Sequence, residues 1–206
     1  MKNNMKIGIF GGSFDPVHLG HLFLASDAAE AAELDKVYFV PVKVQPFKQD
    51  RHAASGQDRI NMLEIGFTYL PSPEKFEVSR YELDNDGVSY TYLTLRAFHD
   101  MFPEAKVYFI LGEDSLLKIE TWMEAEEILK SCSLIVGQRP GYDNEEMLET
   151  IERIRSAYGT EILLIKNRLF DISSTHIRDR VYDEDLPDET VPEKVEEYIE
   201  KHGIYR

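Results

Sequence analysis

Six short apolar runs, spaced along the whole chain and separated by helix-like or polar stretches, constrain the fold more than any other feature. They are MKIGIF (5–10), VYFVP (37–41), FEVS (76–79), KVYFILG (106–112), SLIVG (133–137) and EILLI (161–165). Read as strands they are apolar on both faces, which fits a parallel sheet buried from two sides rather than an antiparallel one with a wet face. The segments between them carry helical spacing. Leu22, Ala25, Ala29 and Ala32 share one face, with Glu30 and Glu33 off it. Ser55 followed by Asp58 reads as a capping box opening a helix over about 57–70. Further helices are expected over Tyr92–Met101, over 124–131, through Met147, Ile151, Ile154 and Tyr158, and through Val195, Tyr198 and Ile199. Strand–helix alternation of this kind predicts an α/β fold, a doubly wound parallel sheet with helices on both faces.

The chain has 206 residues, 43% of them hydrophobic, enough for one sizeable core; a single domain over 1–206 is expected. Cys132 is the sole cysteine, so neither an internal disulfide nor a thiolate zinc cluster can form, and a reducing, cytoplasmic setting is expected. No segment approaches membrane-spanning length. A formal net charge of −15 excludes a general nucleic-acid binder, because affinity for a polyanion rests on clustered lysine and arginine. It leaves room for a small phosphorylated ligand if cations gather locally. Lys43, Lys48, Arg139, Lys166, Arg168, Arg178 and Arg180 lie near candidate loops. The loop from Lys43 to Gly56 is itself long for a compact domain, which points to function.

In a doubly wound sheet, ligands bind beyond the carboxyl ends of the strands near the switch in winding. The first strand leaves at such an end into GGSFDPVHLGH (11–21). Paired glycines let backbone N–H groups approach a phosphate, and the helix that follows aims the positive end of its dipole at it. Neither the dinucleotide fingerprint nor the P-loop pattern is present, so hydride transfer and P-loop kinase chemistry lose support. His18 and His21 are spaced to bring both imidazoles to one side of a helix start, where they can donate to phosphate oxygens, and a protonated ring would add positive charge. A pair of capping or packed histidines is the structural alternative. No cysteine or third histidine nearby completes a metal site. Near the other end, ISSTHIR (172–178) offers Ser174 or Thr175 as a helix cap beside a phosphate, with Arg178 returning to the same face.

Together, G-G-S-F-D-P-x-H-x-G-H and I-S-S-T-x-I-R resemble the nucleotidyltransferase superfamily, and the resemblance implies a Rossmann-like fold of that type. S-Y-T-x-x-T-L (89–95), F-I-L-G-E-D-S (109–115) with Trp122, R-P-G (139–141) and V-P-x-x-V-x-x-Y-I-x-x-x-G-I-Y (191–205) narrow it: over nearly the whole chain the sequence is similar to the bacterial nicotinate-nucleotide adenylyltransferases. The resemblance implies that ATP and nicotinate mononucleotide are joined to give deamido-NAD and pyrophosphate, in a step of NAD biosynthesis. It implies that His18 and His21 contact the ATP phosphates and stabilise the transition state together with Arg178. Gly11, Gly12, Ser13 and Phe14 would contact the nucleotide through the turn, and Ser174, Thr175 and Arg178 would hold the departing polyphosphate. Gly112 and Asp114 would face the adenosine ribose. On the acceptor side the pattern assigns Trp122 to the nicotinate ring, backbone amides around Tyr90 and Thr91 to its carboxylate, and Lys48 to its phosphate. Mg2+ would arrive bound to ATP, with no protein ligand named.

Three positions depart from the family pattern. Gln45–Pro46–Phe47–Lys48 stands where P-P-H-K is common, Leu93 where an aspartate is common, and Ser13 where threonine is usual. Nicotinamide mononucleotide and phosphopantetheine are the alternative acceptors, and a catalytically silent nucleotide-binding module is the alternative of another class. A homo-oligomer stays open at this level.

Overall fold

A computed structural model describes residues 4–43, 53–138, 145–166, 173–183 and 190–206. The strands are β1 (Lys6–Gly12), β2 (Lys36–Pro41), β3 (Phe76–Val78), β4 (Lys106–Gly112), β5 (Ser133–Gln138) and β6 (Ile162–Lys166). All pair in parallel, in the order β3-β2-β1-β4-β5-β6. The winding therefore reverses between β1 and β4, and the expected doubly wound sheet is the observed one.

Side-chain alternation along each strand builds two cores. Ile7 and Ile9 of β1, with Val107, Phe109 and Leu111 of β4, pack into one apolar cluster; Phe10, Tyr108 and Ile110 from the same strands face the other. The first cluster is covered by α4 (Thr91–Met101), α6 (Ala125–Ser131) and α7 (Glu145–Tyr158), through Leu95, Phe98, Ile128, Leu129, Met147, Ile151 and Ile154. The second is covered by α1 (Leu19–Ala31), α2 (Gly56–Phe67), α8 (Ser174–Tyr182) and α9 (Glu193–His202). Gly8 of β1 faces the turn by which α1 leads into β2: a Cβ there would lie 2.8 Å from Leu34 Cδ1 and 3.0 Å from Ile110 Cδ1. Two four-residue helices, α3 (Tyr81–Asp84) and α5 (Glu113–Leu116), complete the set, and neither was expected.

Local signals act where the sequence puts them, with small shifts. Ser55 caps α2, its Oγ accepting the Asp58 N–H at 3.1 Å, but Asp58 returns its carboxylate to the Ser55 hydroxyl rather than to the backbone. The helix stops at Phe67, short of the expected residue 70, because the chain turns at Thr68, whose Oγ1 donates to Ile65 O at 2.7 Å. Among the described residues no helix is long and apolar enough to cross a membrane.

Candidate functional site

The β1–β4 ladder ends at Phe10 and Ile110, although both strands run two residues further. Beyond that point Gly11 and Gly12 stay with β2, opposite Val40 and Pro41, while Leu111 and Gly112 stay with β5, opposite Val136 and Gly137. The two strands thus part at their carboxyl ends and open a crevice at the switch point, floored on both sides by glycine. Nothing lies within 4 Å of where a Gly112 side chain would begin.

From Gly12 the chain enters a tight loop, Ser13–Val17, and then α1. Phe14 adopts φ 47° and buries its ring completely, so this residue can offer the crevice only its backbone. The peptide between Asp15 and Pro16 is cis. His18 is the N-cap of α1: its Nδ1 accepts the backbone N–H of His21 at 3.4 Å, so in the neutral ring the proton sits on Nε2. The capping alternative is therefore true of one nitrogen and leaves the other as a donor. The His18 and His21 rings stack with centroids 3.6 Å apart. The edges of Phe10 and Phe14 close around His21, whose Nδ1 is buried with no hydrogen-bond partner.

Burial holds the His18 imidazole well below its ordinary pKa, with its neighbour His21 adding to the effect, and burial lowers His21 to about 3. Of the two forms the sequence left open, burial thus favours the neutral ring in the protein without ligand. Two imidazoles stacked in an apolar pocket cannot both afford charge, so at neutral pH both are neutral N–H donors.

The second motif is brought against the first. Ser174 Oγ donates to Pro16 O at 3.0 Å, Arg178 Nη1 donates to Asp15 O at 2.7 Å, and Arg178 Nη2 lies 3.4 Å from Thr175 Oγ1. The start of α8 is thereby fixed beside the loop that carries the histidines. The cap of α8 is Ser173, whose Oγ accepts the His176 N–H at 3.2 Å, and not Ser174 or Thr175. Ser174 stands one residue into the helix because its hydroxyl is committed to Pro16 O. Arg178 is buried, whereas Thr175 is exposed.

Gly112 opens α5 and Asp114 is exposed in its first turn, across the crevice from Gly11. Trp122 follows a short 3₁₀ turn after β4 and packs edge-on to Phe109 with centroids 6.1 Å apart. Tyr90 precedes α4 and gives it no side-chain cap, so the first N–H groups of the helix, from Thr91 on, take no cap from it. Ser89 Oγ accepts the Lys43 N–H at 3.3 Å, which ties this helix start to the chain leaving β2. The Tyr90–Thr91 pair thus stands near the carboxyl end of β2, while Trp122 packs on β4 from a separate element. Leu93 is exposed on the first turn of α4. Lys48, with Gln45, Pro46, Phe47, Arg139 and Arg168, lies outside the described residues.

Three residues of this neighbourhood had no role from sequence reasoning. Asp15 is buried, and its Oδ1 accepts the Tyr205 hydroxyl at 2.6 Å and the Ala54 N–H at 3.0 Å. Arg59 Nη1 donates to Ser13 O at 2.7 Å. The signal for Asp15 and Tyr205 was present, since both stand inside quoted motifs, but nothing local said that they meet. Among the described residues no three His, Cys, Asp or Glu side chains are grouped to hold a metal ion.

A family model described as cytidylyltransferase-like matches residues 9–180. A Clostridium novyi (strain NT) protein named "Probable nicotinate-nucleotide adenylyltransferase" is 38% identical over 201 residues, covering 98% of this chain and 99% of the relative. A Thermoanaerobacter sp. (strain X514) protein of the same name is 37% identical over 207 residues, covering 100% and 97%. Among solved structures, the Plasmodium falciparum nicotinic acid mononucleotide adenylyltransferase complexed with NaAD superposes with a TM-score of 0.81 at 21% identity, over 98% of each chain.

Proposed function

The chain belongs to the cytidylyltransferase-like family and, by its full-length relatives, to the nicotinate-nucleotide adenylyltransferases, and from that premise we propose how its residues carry out the reaction. The enzyme transfers the adenylyl group of ATP to nicotinate mononucleotide, giving deamido-NAD and pyrophosphate in NAD biosynthesis. A phosphate oxygen of the acceptor attacks the α-phosphorus, the bond to the β-phosphate oxygen breaks, and pyrophosphate leaves. No covalent enzyme intermediate is needed, so catalysis is positioning and charge stabilisation.

In this reading the ATP phosphates lie over the turn Gly11–Gly12–Ser13–Phe14, where backbone N–H groups and the start of α1 meet them. His18 donates from Nε2 to a phosphate oxygen. His21, with a buried and unpartnered Nδ1, supports the second donor position. A polyphosphate beside these rings supplies the opposite charge that favours protonation, so a ring that is neutral beforehand gains charge as charge develops on the leaving group. Ser174, Thr175 and Arg178 sit beside the departing pyrophosphate, with Gly112 and Asp114 at the ribose. Trp122 stacks on the nicotinate ring, the backbone amides around Tyr90 and Thr91 receive its carboxylate, and Lys48 meets the acceptor phosphate. Magnesium enters as MgATP, a substrate, through phosphate oxygens and water. All of this is assigned to one domain over residues 1–206 acting in the cytoplasm, where its triphosphate substrate is made and used.

The observation that carries the reading is the union of the stacked His18–His21 pair with the start of α8 at the open end of β1 and β4. The test is pyrophosphate release with MgATP and either nicotinate or nicotinamide mononucleotide, with products identified by mass. The acid should be the preferred acceptor and give deamido-NAD. Turnover with the amide alone, or with neither, overturns the assignment.

A further inference from the structure

The turn that would hold ATP is gripped from behind by three parts of the chain that are far apart in sequence. Tyr205, beyond α9, donates its hydroxyl to Asp15 Oδ1 at 2.6 Å across 190 positions. Arg59 of α2 holds Ser13 O at 2.7 Å, and Arg178 of α8 holds Asp15 O at 2.7 Å. Tyr205 at φ 71° and Phe14 at φ 47°, which stands between the held residues Ser13 and Asp15, also have unusual backbones, each a buried aromatic in a region that bulky side chains rarely occupy. Such conformations persist where the surroundings over-determine them, and they cluster at functional sites.

Tyr205 follows Gly203, which ends α9 at φ 61°, and Ile204, whose N–H donates to Ile199 O at 3.0 Å. The segment after α9 is thus folded back onto the site. Burial, with the Asp15 charge next, raises the Tyr205 phenol well above its ordinary pKa, so the hydroxyl stays a donor throughout the working pH range.

We infer that Tyr205 is a positioning residue for the nucleotide: through Asp15 the segment that follows α9 sets the height and direction of the backbone N–H groups of the Gly11–Phe14 turn against the ATP phosphates. The inference rests on the reading of that turn as the ATP site. The acceptor is held by other elements, so the effect should fall on one substrate.

Tyr205→Phe removes the hydroxyl and keeps the ring. The variant and the parent are compared by KM for each substrate, by kcat, by equilibrium binding of a non-hydrolysable ATP analogue, and by thermal unfolding. The expected result is a loss of about tenfold in kcat/KM for ATP and several-fold weaker analogue binding. The KM for nicotinate mononucleotide should stay within about twofold of the parent at temperatures where both proteins are folded. ATP terms within about twofold of the parent overturn the inference. So does a loss shared equally by both substrates, which assigns the hydroxyl to stability alone. If the parent forms no deamido-NAD, the functional reading fails by itself, and the analogue affinities of the two proteins still decide this one.

Discussion

His21 sits in an environment that packing alone does not explain. Its Nδ1 is buried without a partner, its ring is stacked on His18, and the edges of two phenylalanines close it in. A core residue would gain little from such a place, since an unpaired buried nitrogen costs free energy that a leucine would not. The arrangement makes sense if the cost is offset when charge develops on a phosphate beside it. His21→Ala should therefore lower kcat by about 10²- to 10³-fold while changing ATP affinity only a few-fold, as read by steady-state kinetics and analogue binding. Equal turnover in variant and parent would remove His21 from the mechanism. The pairing of both histidines at a helix start beside the glycine turn was legible in the sequence. Their neutrality was not, because a pKa depends on which side chains close around the ring, and Phe10, Phe14 and His18 take those positions only in the folded chain.

The elements were legible in proportion to their length. KVYFILG reads as a buried strand and is β4 with the expected bounds, since seven residues apolar on both faces fit little else. Four-residue helices such as α3 and α5 span one turn and carry no period to detect. At the start of α8 three hydroxyl residues in a row could each cap a helix. Ser173 takes the role because Ser174 is drawn to Pro16 O, a partner more than 150 positions away in the chain. The packing of β1 yields a prediction on the same scale. Gly8→Ala would press a methyl group against Leu34 and Ile110, so β1 must shift or its neighbours must change rotamer. The expected cost is about 1–3 kcal/mol in urea unfolding. An unchanged midpoint would mean that the Leu34 and Ile110 side chains yield freely.

For the molecule as a whole, the same histidines make stability depend on pH. An unfolded His21 takes up a proton below about pH 6.5, whereas the folded one resists until about pH 3, and His18 is shifted in the same direction. Between those limits the unfolded chain binds more protons, so the stability these residues contribute is fully present above about pH 6.5 and is lost as the pH falls. The unfolding midpoint of the parent should therefore drop relative to that of His21→Asn between about pH 6.5 and 4.5; parallel curves would refute the shift. The sequence alone determined the class of fold, the crevice at the end of the first strand and the two motifs that flank it, because periodicity, glycine pairs and cap residues act within a few positions of the chain. Only the tertiary structure decided how those motifs meet. Asp15, Arg59, Arg178 and Tyr205 are joined by hydrogen bonds over separations of up to 190 residues. Such contacts have no local signature: they exist once the sheet has brought segments distant in sequence to the same edge.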